Sequence, residues 1–442
     1  MNIAWKRILR MVAMLALALQ LSQLSAGYSV LTHEEIVDLL WKDRIQPLLL
    51  KRFPGSTEDQ LRKAHAFAYG GCMLQDMGYY PFGNKYFSDL VHYVRSGDFV
   101  DNLLSESSDL DEYAFALGAL AHYASDTTGH PTVNQIVAME FPRLQRKYGN
   151  SITYAQDPKA HIQAEFGLDM AQVAKNRFSS DAYHDFVGFE VSKPVLERAF
   201  LKTYGIPIDS VFGDIDLAIG SYRRAISKVV PAMTKAALVA HKDDIIRETP
   251  NFNKKKFLYY LSRAQYEHEW GKKYQKPGAG SRVLAFFLKF VPKVGPFRAL
   301  AFKTPGKSEE DMYVKSVNET VEEYARVLRE AKNDKLDLPN RDFDTGKPTR
   351  GGEYVLTDKA YSRLLDDLSK RDFKTLSPEL RSNILAFYTD KTGAIATSKR
   401  KGEWKKTEEE LAKLKATSPD SLAPENEIKP TSTPDKDPHN KP

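Results

Sequence analysis

Apolar positions near the start of the chain recur at helical spacing. After Thr32, the residues Ile36, Leu39 and Leu40 follow one another at intervals of three and one, which places them on one face of a helix. Thr32 is followed three positions later by Glu35, the arrangement of a capping box. The pattern predicts a helix that begins at Thr32.

A second helix is predicted over residues 111–126, which are apolar on nearly all sides and therefore belong in the centre of the fold. Gly129 and then Pro131 predict its end, because glycine and proline often follow the last turn of a helix in that order. A third helix is predicted at Asp157, with Pro158 at its first helical position. No run of alternating apolar and polar residues stands out, so we expect an all-α fold.

Composition changes along the chain predict four regions. Residues 28–250 are predicted to form one helix after another, and we interpret them as one domain. Residues 251–396 form a helical extension that is basic at its start, with thirteen Lys or Arg and two Glu between Lys254 and Lys307. Residues 397–442 are rich in Pro, Lys and Glu, which predicts a disordered tail, apart from a solitary charged helix near its start. Residues 1–27 form the fourth region.

Residues 1–27 have the layout of a secretory signal peptide: basic residues, an apolar run, and small residues at the end. Cleavage between Gly27 and Tyr28 would take the net charge from +6 to +3 and leave an exported protein, periplasmic or secreted. An uncleaved anchor is the alternative. The single cysteine, Cys72, excludes an intramolecular disulfide, so the core or a metal must hold the fold.

The basic, apolar and aromatic stretch of residues 282–303 is open to two interpretations. Charges together with Pro292 and Pro296 argue against a membrane span. One reading is an interfacial segment in peripheral contact with anionic lipid. The other is a core hairpin with solvated lysines.

Candidate chemistry is concentrated in the central helix. His122, Asp126 and His130 are spaced four apart, so they share one face of the helix. Buried polar groups need partners, and a zinc ion suits both imidazole and carboxylate. Residues His161 and Glu165 repeat this spacing in the third helix.

The same half of the chain holds further candidate ligands. Asp76 and His92 lie around a glycine-rich turn that runs into a helix, and His33 follows directly on Thr32. One His and Asp pair is weak evidence for a metal, but the combination is strong. His65 lies on an apolar helical face, and we interpret it as a core histidine.

These motifs resemble the zinc-dependent phospholipase C family, including the phospholipase C/D-type domain. They are more distantly similar to the zinc-dependent single-strand nucleases. The resemblance covers roughly residues 28–189 and implies that residues 28–250 form a catalytic domain. It also implies an all-α fold around three zinc ions, or two if the third site is not formed. It implies one zinc on Asp76, His92, His122 and Asp126, and a second on His130, His161 and Glu165. The third zinc would be held by His33, by Asp126 as a bridging ligand, and by the backbone nitrogen and oxygen of Tyr28. In the family this terminal residue is typically Trp.

The resemblance also implies a mechanism. Zinc lowers the pKa of bound water, so a metal-bound hydroxide would attack a phosphodiester. Asp76 would orient or deprotonate the water that gives this hydroxide. The aromatic residues Tyr79, Tyr80 and Phe82 are candidates for a substrate pocket. They would hold a choline-like headgroup by cation–π contact, stack a base, or simply pack a loop.

Three functions remain open at this point. The first is an exported zinc-dependent hydrolase of phosphodiesters, with phospholipids as the expected substrate. The second is a zinc-dependent nuclease or nucleotidase on the same scaffold. The third is a surface or periplasmic binding protein in which zinc only staples the fold.

Overall fold

The computed structural model describes residues 28–175, 188–231, 302–333, 335–389 and 401–417, with four isolated positions between 233 and 247. These residues form helices and connecting turns, together with one isolated antiparallel bridge between Arg341 and Pro348, which confirms the all-α prediction. Within this part of the chain, no helix combines the length and the apolar character that a bilayer crossing requires. The predicted leader, residues 282–301 and residues 418–442 lie outside the described residues.

Within residues 28–175 the helices are α1 (Val30–Leu40), α2 (Gln46–Arg52), α3 (Glu58–Cys72), α4 (Lys85–Tyr93), α5 (Ser96–Ser105), α6 (Leu110–Glu140), α7 (Pro142–Tyr148) and α8 (Pro158–Ala174). A π turn over Trp41–Ile45 makes α1 and α2 continuous, and a 3-10 turn over Leu74–Tyr79 leads from α3 towards α4.

Beyond residue 188 the described helices are α9 (Lys193–Tyr204), α10 (Ile215–Arg224), α11 (Lys307–Lys332), α12 (Val355–Ser369), α13 (Pro378–Thr389) and α14 (Lys401–Ala416). A 3-10 turn covers Ile208–Ser210, and a π turn over Ala225–Val229 extends α10. Helices α11, α12 and α13 lie within residues 251–396, and they confirm the prediction that this extension is helical where the structure describes it.

Helix α14 lies inside the region predicted as a disordered tail, and it is not solitary. The ammonium of Lys406 lies 2.7 Å from Asp366 of α12, and Leu414 is completely buried. The docking of α14 is difficult to predict from its mostly charged sequence, because only a few apolar positions on one face are needed to pack a helix against its neighbours.

The long helix α6 is the axis of the fold, with α3, α8 and α11 packed around it. Its apolar surface on all sides is buried as predicted. Helix α11 belongs to the extension, yet the hydroxyl of Tyr324 donates to the carbonyl of Leu117 in α6 at 2.9 Å. The described residues of the extension therefore share one hydrophobic core with the N-terminal half.

Glycines allow α3 and α6 to cross at close range. A Cβ on Gly118 would lie 2.0 Å from the carbonyl oxygen of Ala68, and a Cβ on Gly71 would lie 1.9 Å from that of Phe115. Since these neighbours are backbone atoms, neither helix can accommodate a methyl group by a rotamer change alone.

Replacing Gly118 with alanine is therefore expected to destabilise the protein by about 3 kcal/mol through overpacking. Thermal unfolding should show a fall in Tm of roughly 6–12 °C. Gly220→Ala on α10 is the matched control, because no atom lies within 4 Å of the added Cβ. The control should unfold at the same temperature as the unmodified protein or slightly above it. An unchanged Tm for Gly118→Ala would contradict the close crossing.

The predicted end of the central helix at Gly129 and Pro131 is wrong, because α6 continues through both to Glu140. Gly129 is needed for packing: a Cβ there would lie 2.5 Å from the ring of Tyr28. After Pro131, the side chains of Val133 and Ile136 are fully buried. Their burial offsets the roughly 3 kcal/mol that an internal proline costs a helix.

The predicted start of the first helix at Thr32 is also wrong, since α1 begins at Val30. The hydroxyl of Thr32 donates to Asp169 of α8 at 2.5 Å, and the backbone N–H of Leu31 donates to the same carboxylate at 3.0 Å. A carboxylate distant in sequence thus satisfies the start of α1. The predicted cap at Asp157 is confirmed, because its side chain accepts from the backbone N–H of Ala160 at 2.9 Å.

Candidate metal centre

Asp126 lies in the middle of four histidines. Its Oδ2 is 3.0 Å from Nε2 of His122, 3.4 Å from that of His130 and 3.5 Å from that of His92. Its Oδ1 faces the other way, 3.5 Å from Nε2 of His33. All five side chains are buried. The four-residue spacing on α6 therefore brings its three polar side chains to one point inside the protein.

The ligand atoms form three groups, in each of which one atom per residue lies within 4.8 Å of the others, and two of these groups share His122. We name them by one member: the Asp76 group (Asp76, His92, His122), the His161 group (His130, His161, Glu165) and the His33 group (His33, His122, Asp126). They bring together the eight side chains that the sequence analysis named as zinc ligands. Asp126 contacts residues of every group, as a bridging ligand would.

The 3-10 turn that carries Asp76 is fixed to both neighbouring helices. The hydroxyl of Ser88 on α4 donates to the carbonyl of Gln75 at 2.6 Å and accepts from the N–H of Gly78 at 3.1 Å. The side chain of Gln75 donates to the carbonyl of Ala119 on α6 at 3.0 Å. Asp76 is thus held opposite His92 by a rigid turn.

Three imidazoles each place one ring nitrogen against a backbone carbonyl: His92 Nδ1 on Ser88 at 2.8 Å, His122 Nδ1 on Cys72 at 2.9 Å, and His161 Nε2 on Ile152 at 2.7 Å. A carbonyl oxygen only accepts, so these nitrogens must carry the hydrogen. In the neutral ring, the opposite nitrogen then keeps its lone pair directed into the centre. This is the usual support for metal-binding histidines.

Polar atoms at the centre have no hydrogen-bond partner among the described residues. They are both ring nitrogens of His33 and His130, Nε2 of His122, and both carboxylate oxygens of Asp76 and Asp126. Leaving such groups buried and unsatisfied costs several kcal/mol. Divalent cations would satisfy one nitrogen of each ring together with the carboxylate oxygens, and imidazole with carboxylate is a donor set that zinc favours. The residues present fit zinc.

Without a cation, protonation of histidines balances part of the negative charge of the carboxylates. Burial lowers the pKa of His92, but the carboxylates of Asp126 and Asp76 outweigh burial and raise it to about 10. The pKa of His130 rises to about 9 because Asp126 likewise outweighs burial. Burial would raise the pKa of Asp126, but His122 and His130 hold it well below its usual range. The centre attracts positive charge, so zinc binding must release protons.

Tyr28, the expected mature terminus, lies beside this centre. Its ring packs edge-on against His33 with centroids 6.2 Å apart. Its hydroxyl makes hydrogen bonds with Ser316 and Thr320 of α11. Ligation by its backbone atoms stays a prediction.

The three aromatic residues proposed for a substrate pocket lie in different surroundings. Tyr79 is buried, with its ring edge-on to His92 and the ring centroids 6.2 Å apart. Tyr80 is also buried but packs against Tyr222. Phe82 is 47% exposed, in a turn with positive φ. Only Tyr79 of the three contacts one of the grouped ligands in the described structure.

His65 lies apart from the three groups. Its ring stacks on Trp41 with centroids 3.8 Å apart, and its Nε2 is 3.0 Å from the carboxylate of Asp38. It is a core histidine, as the apolar face around it predicted.

Sequence reasoning missed Asp344. Its Oδ1 lies 3.6 Å from Nε2 of His130, and the preceding Phe343 packs on His92 with centroids 5.3 Å apart. The only signal was two aspartates, Asp342 and Asp344, on either side of an aromatic residue. With no helical spacing and no nearby histidine, that signal points to nothing by itself.

Residues 32–214 match the family model described as zinc dependent phospholipase C. This stretch contains all eight side chains predicted as zinc ligands. No curated protein and no solved structure matches the chain.

Proposed function

Because residues 32–214 place this chain in the zinc-dependent phospholipase C family, we propose that it is an exported phospholipase C-type phosphodiesterase that hydrolyses phospholipids. The observation that carries the proposal is the set of buried imidazole and carboxylate groups inside the matched stretch whose atoms have no hydrogen-bond partner among the described residues. Such groups are costly to bury without a cation, so their presence supports a metal-dependent catalyst.

The histidines and carboxylates of the three groups would hold the zinc ions. Zinc would supply Lewis acidity, both to lower the pKa of a water molecule and to neutralise charge on the phosphate. The family implies three ions. The three groups support that number, because Asp126 of the His33 group also contacts His92 of the Asp76 group and His130 of the His161 group, as a shared ligand would.

Asp76 is our candidate for the residue that orients the attacking water and accepts its proton. Its carboxylate is buried, held by a fixed turn, and has no hydrogen-bond partner. In the proposed reaction the water oxygen attacks phosphorus. The phosphorus–oxygen bond to glycerol breaks, and that oxygen leaves with a proton. The products are diacylglycerol and a phosphorylated headgroup.

The ring of Tyr79 would border the reacting phosphate, because it packs against His92 at the Asp76 group. Tyr80 and Phe82 would act more remotely, the first by packing against Tyr222 and the second from an exposed turn. A headgroup contact is thus best supported for Tyr79.

Export and contact with a lipid surface are parts of the same proposal. The layout of residues 1–27 supports cleavage at Tyr28, and the basic, apolar stretch of residues 282–303 supports peripheral contact with a membrane. Both features suit an enzyme whose substrate lies in a bilayer.

The test is hydrolysis by the purified, N-terminally processed protein. It should release phosphocholine from phosphatidylcholine vesicles, lose this activity in a chelator, and recover it when Zn²⁺ is restored. Asp76→Asn should remain folded and keep the zinc ions of the His33 and His161 groups but lose activity by about 10²-fold or more.

Single-stranded DNA, with and without chelator, is the comparison substrate. Zinc-dependent cleavage of DNA with vesicles left intact would replace the proposal with a nuclease. Bound zinc with no hydrolysis of either substrate would favour a binding protein that uses zinc as a staple.

A further inference from the structure

The segment over residues 335–354 brings a carboxylate from the C-terminal extension to the metal centre. Asp344 lies in this segment, well outside residues 32–214 that match the family. It is 1% exposed, and its Oδ1 lies 3.6 Å from Nε2 of His130. The contact of the same nitrogen with Oδ2 of Asp126 has a similar length of 3.4 Å. Asp344 is therefore about as close to His130 as Asp126, a residue already named as a ligand.

We propose that Asp344 is a further metal ligand, which supplies a fourth protein side chain to the His161 group. This inference rests on the proposed function, because it assumes that the centre holds zinc. It assigns to the extension a direct part in the metal centre.

The two oxygens of Asp344 have different surroundings. Its Oδ2 accepts hydrogen bonds from the hydroxyl of Tyr93, at 2.9 Å, and from that of Tyr354. Its Oδ1 is buried and has no hydrogen-bond partner among the described residues. Carboxylates that bind metals are typically oriented through hydrogen bonds in this way. The two tyrosines thus fix the carboxylate with one oxygen free to bind an ion beside His130.

The backbone around Asp344 is fixed to the helices that carry the other ligands. The carbonyl of Asp344 accepts from the side chain of Asn134 on α6 at 2.8 Å. The N–H of Phe343 donates to the carbonyl of His92 on α4 at 3.3 Å. Asp344 therefore has a fixed position at the centre and does not depend on a chance rotamer.

Coordination and charge both favour this assignment. The His161 group offers two imidazoles and one carboxylate, and a closed zinc site has four protein ligands. With Asp344 the group reaches four. A second carboxylate also neutralises the remaining charge of a divalent ion, which matters in a buried site where charge is costly.

The experiment compares metal binding by the full mature chain with that of Asp344→Asn, which keeps the shape and removes the charge. We expect the variant to lose one zinc ion per chain or to bind that ion at least about tenfold more weakly, measured by elemental mass spectrometry and chelator competition. Tyr354→Phe removes one orienting hydroxyl and should weaken the same ion to a smaller extent.

Asp342→Asn is the matched control. Asp342 is equally buried in the same segment, but it accepts from the hydroxyl of Thr357 and the N–H of Thr345. It should keep the zinc content of the unmodified protein. Circular dichroism would show that all three variants are folded.

Unchanged zinc number and affinity in Asp344→Asn would overturn the inference. So would a crystal structure of the zinc-loaded protein in which the Asp344 carboxylate lies beyond about 3 Å of every ion, since zinc–carboxylate bonds are about 2.0–2.2 Å. A failure of the proposed function is distinguishable, because the unmodified protein would then bind no zinc or hydrolyse no phospholipid.

Discussion

Asp126→Asn is expected to lower kcat/KM for phospholipid hydrolysis by about 10³-fold or more. Asp126 is the only carboxylate in the described part of the centre that contacts four histidines, with oxygen–nitrogen distances of 3.0–3.5 Å. Loss of its charge should weaken the ions that it contacts. Metal ions supply several kcal/mol of transition-state stabilisation, and each 1.36 kcal/mol is a factor of ten in rate.

The matched control is Asp38→Asn. Asp38 is also nearly buried and also contacts a histidine, with 3.0 Å to Nε2 of His65, but it lies outside the three groups. This variant should lose some stability and retain zinc and activity. Steady-state kinetics on vesicles, with zinc content measured on the same samples, separate the two effects. Full activity in Asp126→Asn would rule out the proposed centre.

Removal of zinc is expected to lower Tm by about 10 °C or more. The centre buries five histidines and the carboxylates of Asp76, Asp126, Glu165 and Asp344. A bound cation balances the charge of the carboxylates, and chelation removes this balance. If zinc contributes about 5 kcal/mol, a fall of roughly 10–20 °C follows for a domain of 150–250 residues. Calorimetry of the chelated protein, with residual metal quantified, measures this directly.

Zinc should restore the original Tm, whereas magnesium should not, because magnesium prefers oxygen ligands. Asp126→Asn provides the control: its Tm should already be lower and should fall less on chelation. An unchanged Tm after complete metal loss would mean that the core tolerates these groups without a cation.

Local periodicity predicted much of this fold because it reflects backbone geometry. The four-residue spacing from His122 to Asp126 and His130 required only a helix to place the three side chains on one face, and α6 is that helix. The cap at Asp157 likewise depends on residues within one turn.

Predictions failed where a distant residue decides local structure. Thr32 is not a cap because Asp169, from another helix, meets the start of α1. The helix passes Gly129 because Tyr28 packs against that glycine. Asp344 could not be assigned to the centre from sequence, since more than 200 positions separate it from His130 and only the packing of the extension brings them together.

The contact between Tyr28 and Ser316 has a consequence for the order of folding. These residues are 288 positions apart in the chain, so the side chain beside His33 acquires its hydrogen-bond partner only after α11 has been synthesised. Contacts this distant in sequence close large loops and tend to form late. Part of the apolar surface of the N-terminal helices therefore stays exposed until the second half of the chain has been synthesised and can pack against it. A chaperone that holds the emerging chain during this interval would protect it from aggregation.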